Sequence, residues 1–313
     1  MSLERGSKVV LKDCLDVRRG EKVLIVTDDL KVDIGQALYE GARDLGAEAL
    51  MIVMQPRKIS GEEPPAPVVK AMEEADVVIC PTESSLTHTQ AKINAVKNGA
   101  RVATMPGITS EMFEQGAITA DYQEVEKLTL KITDLLTKGE TARIVKNGYV
   151  LTLSIEGRNG IASTGIYNKS GMSGNLPSGE AYIAPVEGTA HGEMMIDGSM
   201  VGIGKLEEPL YVKIENGNLV EVKGENADKV QILLENERNS NVAELGIGTN
   251  NKARLCGIIL EDEKVYGTVH IAFGTNTSFG GTVKADCHFD GVILKPDLFI
   301  DDVLVVKDGE ILI

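Results

Sequence analysis

Two histidines and an aspartate in the C-terminal half have the types and spacing of a metal-binding set. The run Val283–Val292 reads V-K-A-D-C-H-F-D-G-V, and as a strand it places His288 and Asp290 on one face, with Cys287 and Phe289 on the other. Upstream, Lys264–Gly274 (KVYGTVHIAFG) reads as a second strand in which His270 shares a face with Thr268 and Ala272, small neighbours that leave room beside an imidazole. The connection Thr275–Thr282 is short enough to let the two strands pair. A lone histidine on a strand is more often a packed core residue. Two with a carboxylate between paired strands form the two-histidine, one-carboxylate pattern that suits a divalent metal with open coordination positions. The chain has only four histidines, so each weighs more.

Glu180 and Glu244 extend the set. Glu180 follows the turn Asn175-Leu176-Pro177-Ser178-Gly179, and Glu244 lies in Val242–Gly248 (VAELGIG) among small or apolar residues. A carboxylate in such surroundings needs a partner, and a divalent cation and a salt bridge are equally good readings of it. His191, in a turn-rich stretch, and His88, in the first half, read as exposed residues rather than site residues. Asp28 and Asp29, after the first apolar run, read as a solvated loop, with the edge of a cleft as the alternative.

The elements that must position these residues fall into two halves with different grammar. Residues 1–140 hold 10 of the 33 glycines and residues 141–313 hold 23. In the first half, apolar runs at Glu21–Val26, Ala49–Met54, Asp76–Cys80 and Arg101–Met105 alternate with helical periods at Val32–Asp44, Val68–Ala75 and Gln90–Lys97. That order predicts an α/β domain with a parallel sheet. A longer helix runs from a capping box at Asp121 and Glu124 to Lys138-Gly139. The second half predicts β-rich α+β structure. Tyr149–Ile155 alternates, Asn216-Gly217 and Asp308-Gly309 mark hairpins, and one helix is expected over Ala227–Glu237. The expected organisation is an α/β domain over 1–140 and a β-rich metal-binding catalytic domain over 141–313.

Composition excludes several classes of function. With 47 acidic against 32 basic residues the net charge is -15, which argues against nucleic acid and anionic membranes as partners. Apolar runs such as Val303–Val306 are far too short to span a bilayer. The opening residues carry no signal-peptide pattern, so a cytoplasmic protein is expected. Cys14, Cys80, Cys256 and Cys287 are widely separated with no CxxC, and they read as reduced thiols, mostly in the core. After the first strand there is neither GxGxxG nor a Walker glycine run, so a dinucleotide site is not expected. The expected partner is a small peptide or small-molecule substrate, with a homodimer the assembly considered.

Taken in order, the NLPSGE turn, VAELGIG, HIAFG and HFD resemble the aminopeptidase T-like metallopeptidases. The opening GEKVLIVTDD is similar to that family's N-terminal domain. The resemblance implies that Glu180, Glu244, His270, His288 and Asp290 hold a pair of divalent ions (zinc, cobalt or manganese) that activate water against an N-terminal peptide bond. Glu244 would be the catalytic residue, as a bridging ligand or close to the general base. Two departures stand out: Thr277 replaces the family's tyrosine seven residues after the first histidine, and the His270-to-His288 stretch is short. The chain is also similar to the dihydroxypyridine ring-opening dioxygenases, which use one ferrous ion held by two histidines and an aspartate. On that resemblance His270, His288 and Asp290 would suffice, with Glu180 and Glu244 beside them. The peptidase reading is taken first, the dioxygenase second, and a metal-binding homologue without turnover third.

Overall fold

The computed structural model describes residues 3–313; Met1 and Ser2 of the opening segment lie outside them. The chain divides into two compact units, one comprising the chain through Glu124 with Gly165–Ser178, the other Val125–Thr164 with Gly179–Ile313. This differs from a single division at residue 140. The helix Tyr122–Lys138 begins in one unit and continues in the other, and Gly165–Ser178 returns to the first.

The first unit is built on a five-stranded parallel sheet in the order Glu48–Met54, Lys22–Asp28, Val77–Thr82, Arg101–Pro106, Ser173–Asn175. Alternation in its strands sends Leu24, Val26, Val78, Cys80 and Val102 into one cluster with Val68, Met72, Ala91 and Ala95 of the helices Ala66–Glu73 and Gln90–Lys97. Each such large aliphatic side chain contributes about 1.5–3 kcal/mol by leaving water. Asp28 is not solvated. It is fully buried, and its carboxylate accepts the Leu30 and Glu83 amides at 3.1 and 2.6 Å, so it ties a loop; Asp29 is exposed. At the start of the long helix, Asp121 accepts the Gln123 amide at 3.0 Å, as the capping pattern predicts.

The second unit contains an eight-stranded and a seven-stranded sheet. Leu151, Leu153, Met194 and Ile196 from the first share one core with Ala181, Ile183, Leu245, Ile271 and Phe273 from the second. The seven-stranded sheet runs Gly204–Lys205, Ser199–Met200, His288–Ile293, Val269–Gly274, Val242–Gly248, Glu180–Ile183, Ile161–Ser163. An α/β unit and a β-rich unit are the fold class expected from the sequence.

Three elements differ from expectation. Lys264–Thr268 is a turn, and the strand begins only at Val269, because Gly267 takes a φ of +74° against the Gly309 carbonyl. Val283–Cys287 is loop, since Asn276 accepts the Val283 amide at 2.9 Å and folds the connection on itself. The helix over Ala227–Glu237 is a 3₁₀ stretch, Ala227–Leu234, kinked at Val230. A new turn follows at Glu237–Ser240, where Asn236 caps the Arg238 and Asn239 amides and so restarts the helix. Two of the cysteines, Cys14 and Cys80, are core; Cys256 is exposed. Among the described residues no helix is long and apolar enough to cross a membrane.

Candidate metal centre

All five candidate ligands lie in the second unit, on one face of the seven-stranded sheet. Register puts them there. Glu180 pairs with Gly248, His270 with Gly246, and Ala272 with both Glu244 and Asp290, while His288 pairs with Gly274. Because strand side chains alternate, the residues between them (Leu245, Ile247, Ile271, Phe273, Ile293) face the core and anchor the strands. A register shift between Val242 and Glu244 turns the Glu244 carboxylate toward both histidines.

His270 Nε2 stands 3.5 Å from Glu180 Oε2 and 3.5 Å from Glu244 Oε1. His288 Nε2 stands 3.4 Å from Glu244 Oε2 and 3.5 Å from Asp290 Oδ1. Glu244 therefore lies between the two imidazoles. His270 is wholly buried and Glu180, Glu244 and Asp290 nearly so; His288 is half-buried. These contacts are ion pairs too long for good hydrogen bonds. Both His270 nitrogens and Glu180 Oε2 are buried without a hydrogen-bond partner, which is costly unless something else fills the space. Donors bound at about 2.1 Å to one tetrahedral ion lie roughly 3.4 Å apart, close to the spacing seen. Donor chemistry, burial and orphaned atoms all fit a divalent metal. Glu244, His270 and Asp290 are one set with ligand atoms mutually within 4.8 Å; Glu180, Glu263 and His270 are another.

His288 is pre-set as a ligand. Its Nδ1 is 2.9 Å from the Thr275 carbonyl, which can only accept, so Nδ1 carries hydrogen and Nε2 is directed at the carboxylates. In the metal-free protein burial opposes charge on the histidines, but the carboxylates outweigh it. His270 is lifted to about 9 by Glu244, Glu180 and Glu263, and His288 is raised by Asp290 and Glu244. Burial also opposes charge on Glu244, yet the two histidines hold it at about 2. The stabilisation from His270 is thus complete below its ordinary 6.5 and lost as pH rises through about 9. That from Glu244 is present above 4.5 and lost as pH falls toward about 2.

A metal takes neutral imidazole, so loading the centre near pH 7 should release protons, and affinity should climb as pH rises toward about 9, where His270 loses its proton. Calorimetric titration with metal in buffers of different protonation enthalpy measures this directly. An enthalpy independent of the buffer would contradict it.

The sequence reading missed Lys264 and Glu263. Lys264 is 1% exposed, donates to Glu180 Oε1 at 2.6 Å and is ion-paired with Glu263. Burial would lower its pKa, but the two glutamates raise it further; Glu263, half-buried and beside Glu180 and Asp290, is pushed up to about 8 by loss of solvent and by those carboxylates, despite Lys264. The only sequence signal was the charge run Glu261–Lys264, which ordinarily marks a surface. Thr277 is exposed, and the connecting loop instead sends Phe279 edge-on against His288 at 5.9 Å and Tyr182 at 5.5 Å between ring centres. Glu187 ties this loop down, accepting from Asn276 at 3.0 Å and from the Thr282 amide at 2.7 Å while paired with Arg158. His191 is exposed at the start of a strand, and His88 is exposed in a loop of the first unit.

This architecture, an α/β unit with a β-rich unit bearing the acidic-imidazole face, is the fold of aminopeptidase T. The wild-type AmpT structure from Thermus thermophilus superposes with a TM-score of 0.73 at 18% identity, covering 99% of each chain. The 2,5-dihydroxypyridine dioxygenase structure from Pseudomonas putida KT2440 is similar with a TM-score of 0.82 at 18% identity, over 99% of this chain and 96% of that one. The chain belongs to the 2,5-dihydroxypyridine 5,6-dioxygenase (NicX) family, whose profile matches residues 5–313. It is 23% identical to the 2,5-dihydroxypyridine 5,6-dioxygenase of Pseudomonas putida KT2440, over 77% of this chain and 72% of that protein. The aminopeptidase T-like fold expected from the sequence is therefore present. The order of the two readings changes: the family is one of dioxygenases, and likeness to the peptidase rests on fold.

Proposed function

We propose that the chain is a ferrous-iron-dependent ring-opening dioxygenase acting on a small dihydroxylated nitrogen heteroaromatic. Family membership across residues 5–313 is the observation that carries this reading. His270, His288 and Asp290 would hold the ion. When bound, ferrous iron supplies the one-electron chemistry by which dioxygen reacts with an aromatic ring. The chain's own residues supply the rest. The Thr275 carbonyl fixes the His288 ring, so Nε2 stays aimed at the centre. Glu244, charged across the neutral range, can accept a hydrogen bond from a substrate hydroxyl at one carboxylate oxygen and so orient the ring. Phe279 and Tyr182 offer aromatic surface beside His288 to a flat ring.

One observation favours a second reading, a two-metal aminopeptidase. Glu244 sits between both imidazoles, where a carboxylate shared by two ions would sit. The experiment loads the protein anaerobically with ferrous iron and follows oxygen uptake with 2,5-dihydroxypyridine and related dihydroxylated rings. Parallel samples with zinc, cobalt or manganese are given aminoacyl substrates. Oxygen consumption matched to ring loss is expected. Peptide-bond hydrolysis at two metals per chain, without oxygen uptake, would overturn the dioxygenase reading in favour of the second.

A further inference from the structure

The buried lysine of the site face belongs to neither reading. We propose that Lys264 is a built-in cation that takes the place of a second metal ion in the charge balance and holds this centre to one divalent ion. The inference deepens the one-iron reading above and rests on it.

Three features carry it. A second ligand set does exist: Glu180, Glu263 and His270 present ligand atoms mutually within 4.8 Å, and Glu180 Oε2 and both His270 nitrogens are buried without hydrogen-bond partners. On sequence order and geometry alone that set could accept a cation. Lys264 already serves it, because its ammonium is buried, 2.6 Å from Glu180 Oε1, and paired with Glu263. An ion bound to these same two carboxylates would be forced close to a buried ammonium, where like charges repel strongly because little water screens them.

Charge counting agrees. Four carboxylates surround the pair of histidines: Glu180, Glu244, Glu263 and Asp290. Two divalent ions would balance them only if no other cation were present, and Lys264 is present. With the lysine, three of the four negative charges remain to be met, so one divalent ion is accommodated with the site still net negative, and a second would turn it net positive. The lysine also has a positioning effect. By holding Oε1 of Glu180 it leaves Oε2 as the oxygen that faces His270.

The test uses cobalt alone, a probe whose binding and spectra do not depend on oxygen chemistry. Full-length protein stripped of metal is titrated with cobalt, and bound metal per chain is measured together with electron paramagnetic resonance. Wild type should bind one cobalt with an uncoupled spin signal. Lys264→Met and Lys264→Gln should bind two, the second at least a hundredfold more tightly than any second ion in wild type, with a spin-coupled signal. Lys264→Arg, which keeps the charge, should stay at one. Two cobalts in wild type, or one in both neutral variants at saturation, would overturn the proposal. So would failure of both neutral variants to fold with cobalt present during expression, because the second ion is expected to replace the missing ammonium. If wild type holds one cobalt but the iron-loaded protein consumes no oxygen, the dioxygenase reading fails and this one stands.

Discussion

Replacing His288 or Asp290 by alanine is expected to weaken divalent-metal binding by more than about a hundredfold, beyond the loss that follows from disturbing groups behind the ligands. His288 is half-buried and Asp290 nearly buried. Removing the His288 ring therefore opens a gap that water can reach, and the short Asp290 side chain leaves only a small space, so folding should survive both changes. What is lost is a donor. Asp290→Ala also leaves His288 Nε2 with Glu244 as its remaining carboxylate, 3.4 Å away. A competitive chelator titration reads the affinity, and circular dichroism checks the fold. Glu244→Gln makes the informative contrast, because it keeps volume and removes charge. Under the one-iron reading it should retain the metal and lose turnover; if Glu244 bridged two ions it should release one of them. Wild-type affinity in either alanine variant would remove that residue from the ligand set.

Much of the scaffold was legible because its signals are local. In the first unit the helices Val32–Asp44 and Gln90–Lys97 have the boundaries their apolar periods imply. The pairing of His288 and Asp290 on one face followed from strand alternation alone, even though the strand is shorter than the pattern suggested. What sequence order does not carry is the partner across the sheet. Lys264 sits at the end of a charge run that reads as surface, yet the turn around Gly267 buries it against Glu180, 84 positions away. The connection from Thr275 to Cys287 reads partly as strand, but its polar groups bond within the loop and to Glu187. The end of the first unit was equally hidden. A single unbroken helical stripe gives no sign that the unit boundary falls inside the helix, after Glu124. The choice between peptidase and dioxygenase was the least accessible, since both are expected to draw on the same histidines and aspartate. The preference proposed above rests on the match of residues 5–313 to one family.

The sequence pattern puts the room beside His270 at Thr268 and Ala272, but Thr268 lies in the turn before the strand and the residue that makes the room is Gly246 across the sheet. The two are register partners, and a Cβ on Gly246 would lie 1.9 Å from His270 Nε2 and 2.2 Å from Cε1. No shift of a flexible side chain relieves such an overlap, because the imidazole is wholly buried and carries the donor the centre needs. Gly246→Ala should therefore act twice. It should destabilise the metal-free fold by about 1–3 kcal/mol or more, the usual cost of forcing extra volume into a packed interior. It should also abolish tight metal binding by driving Nε2 away from Glu180 and Glu244. Denaturant unfolding and the chelator titration measure the two effects separately. The double variant Gly246→Ala, His270→Ala supplies the control, since the new methyl group then enters the space the ring has left. Stability should recover by about 1–3 kcal/mol relative to the sum of the single changes, the coupling expected of residues in direct contact. Metal binding should not recover, because the imidazole is gone. Additive single changes, or a Gly246→Ala protein that binds metal normally, would mean that His270 does not occupy this place in the folded chain.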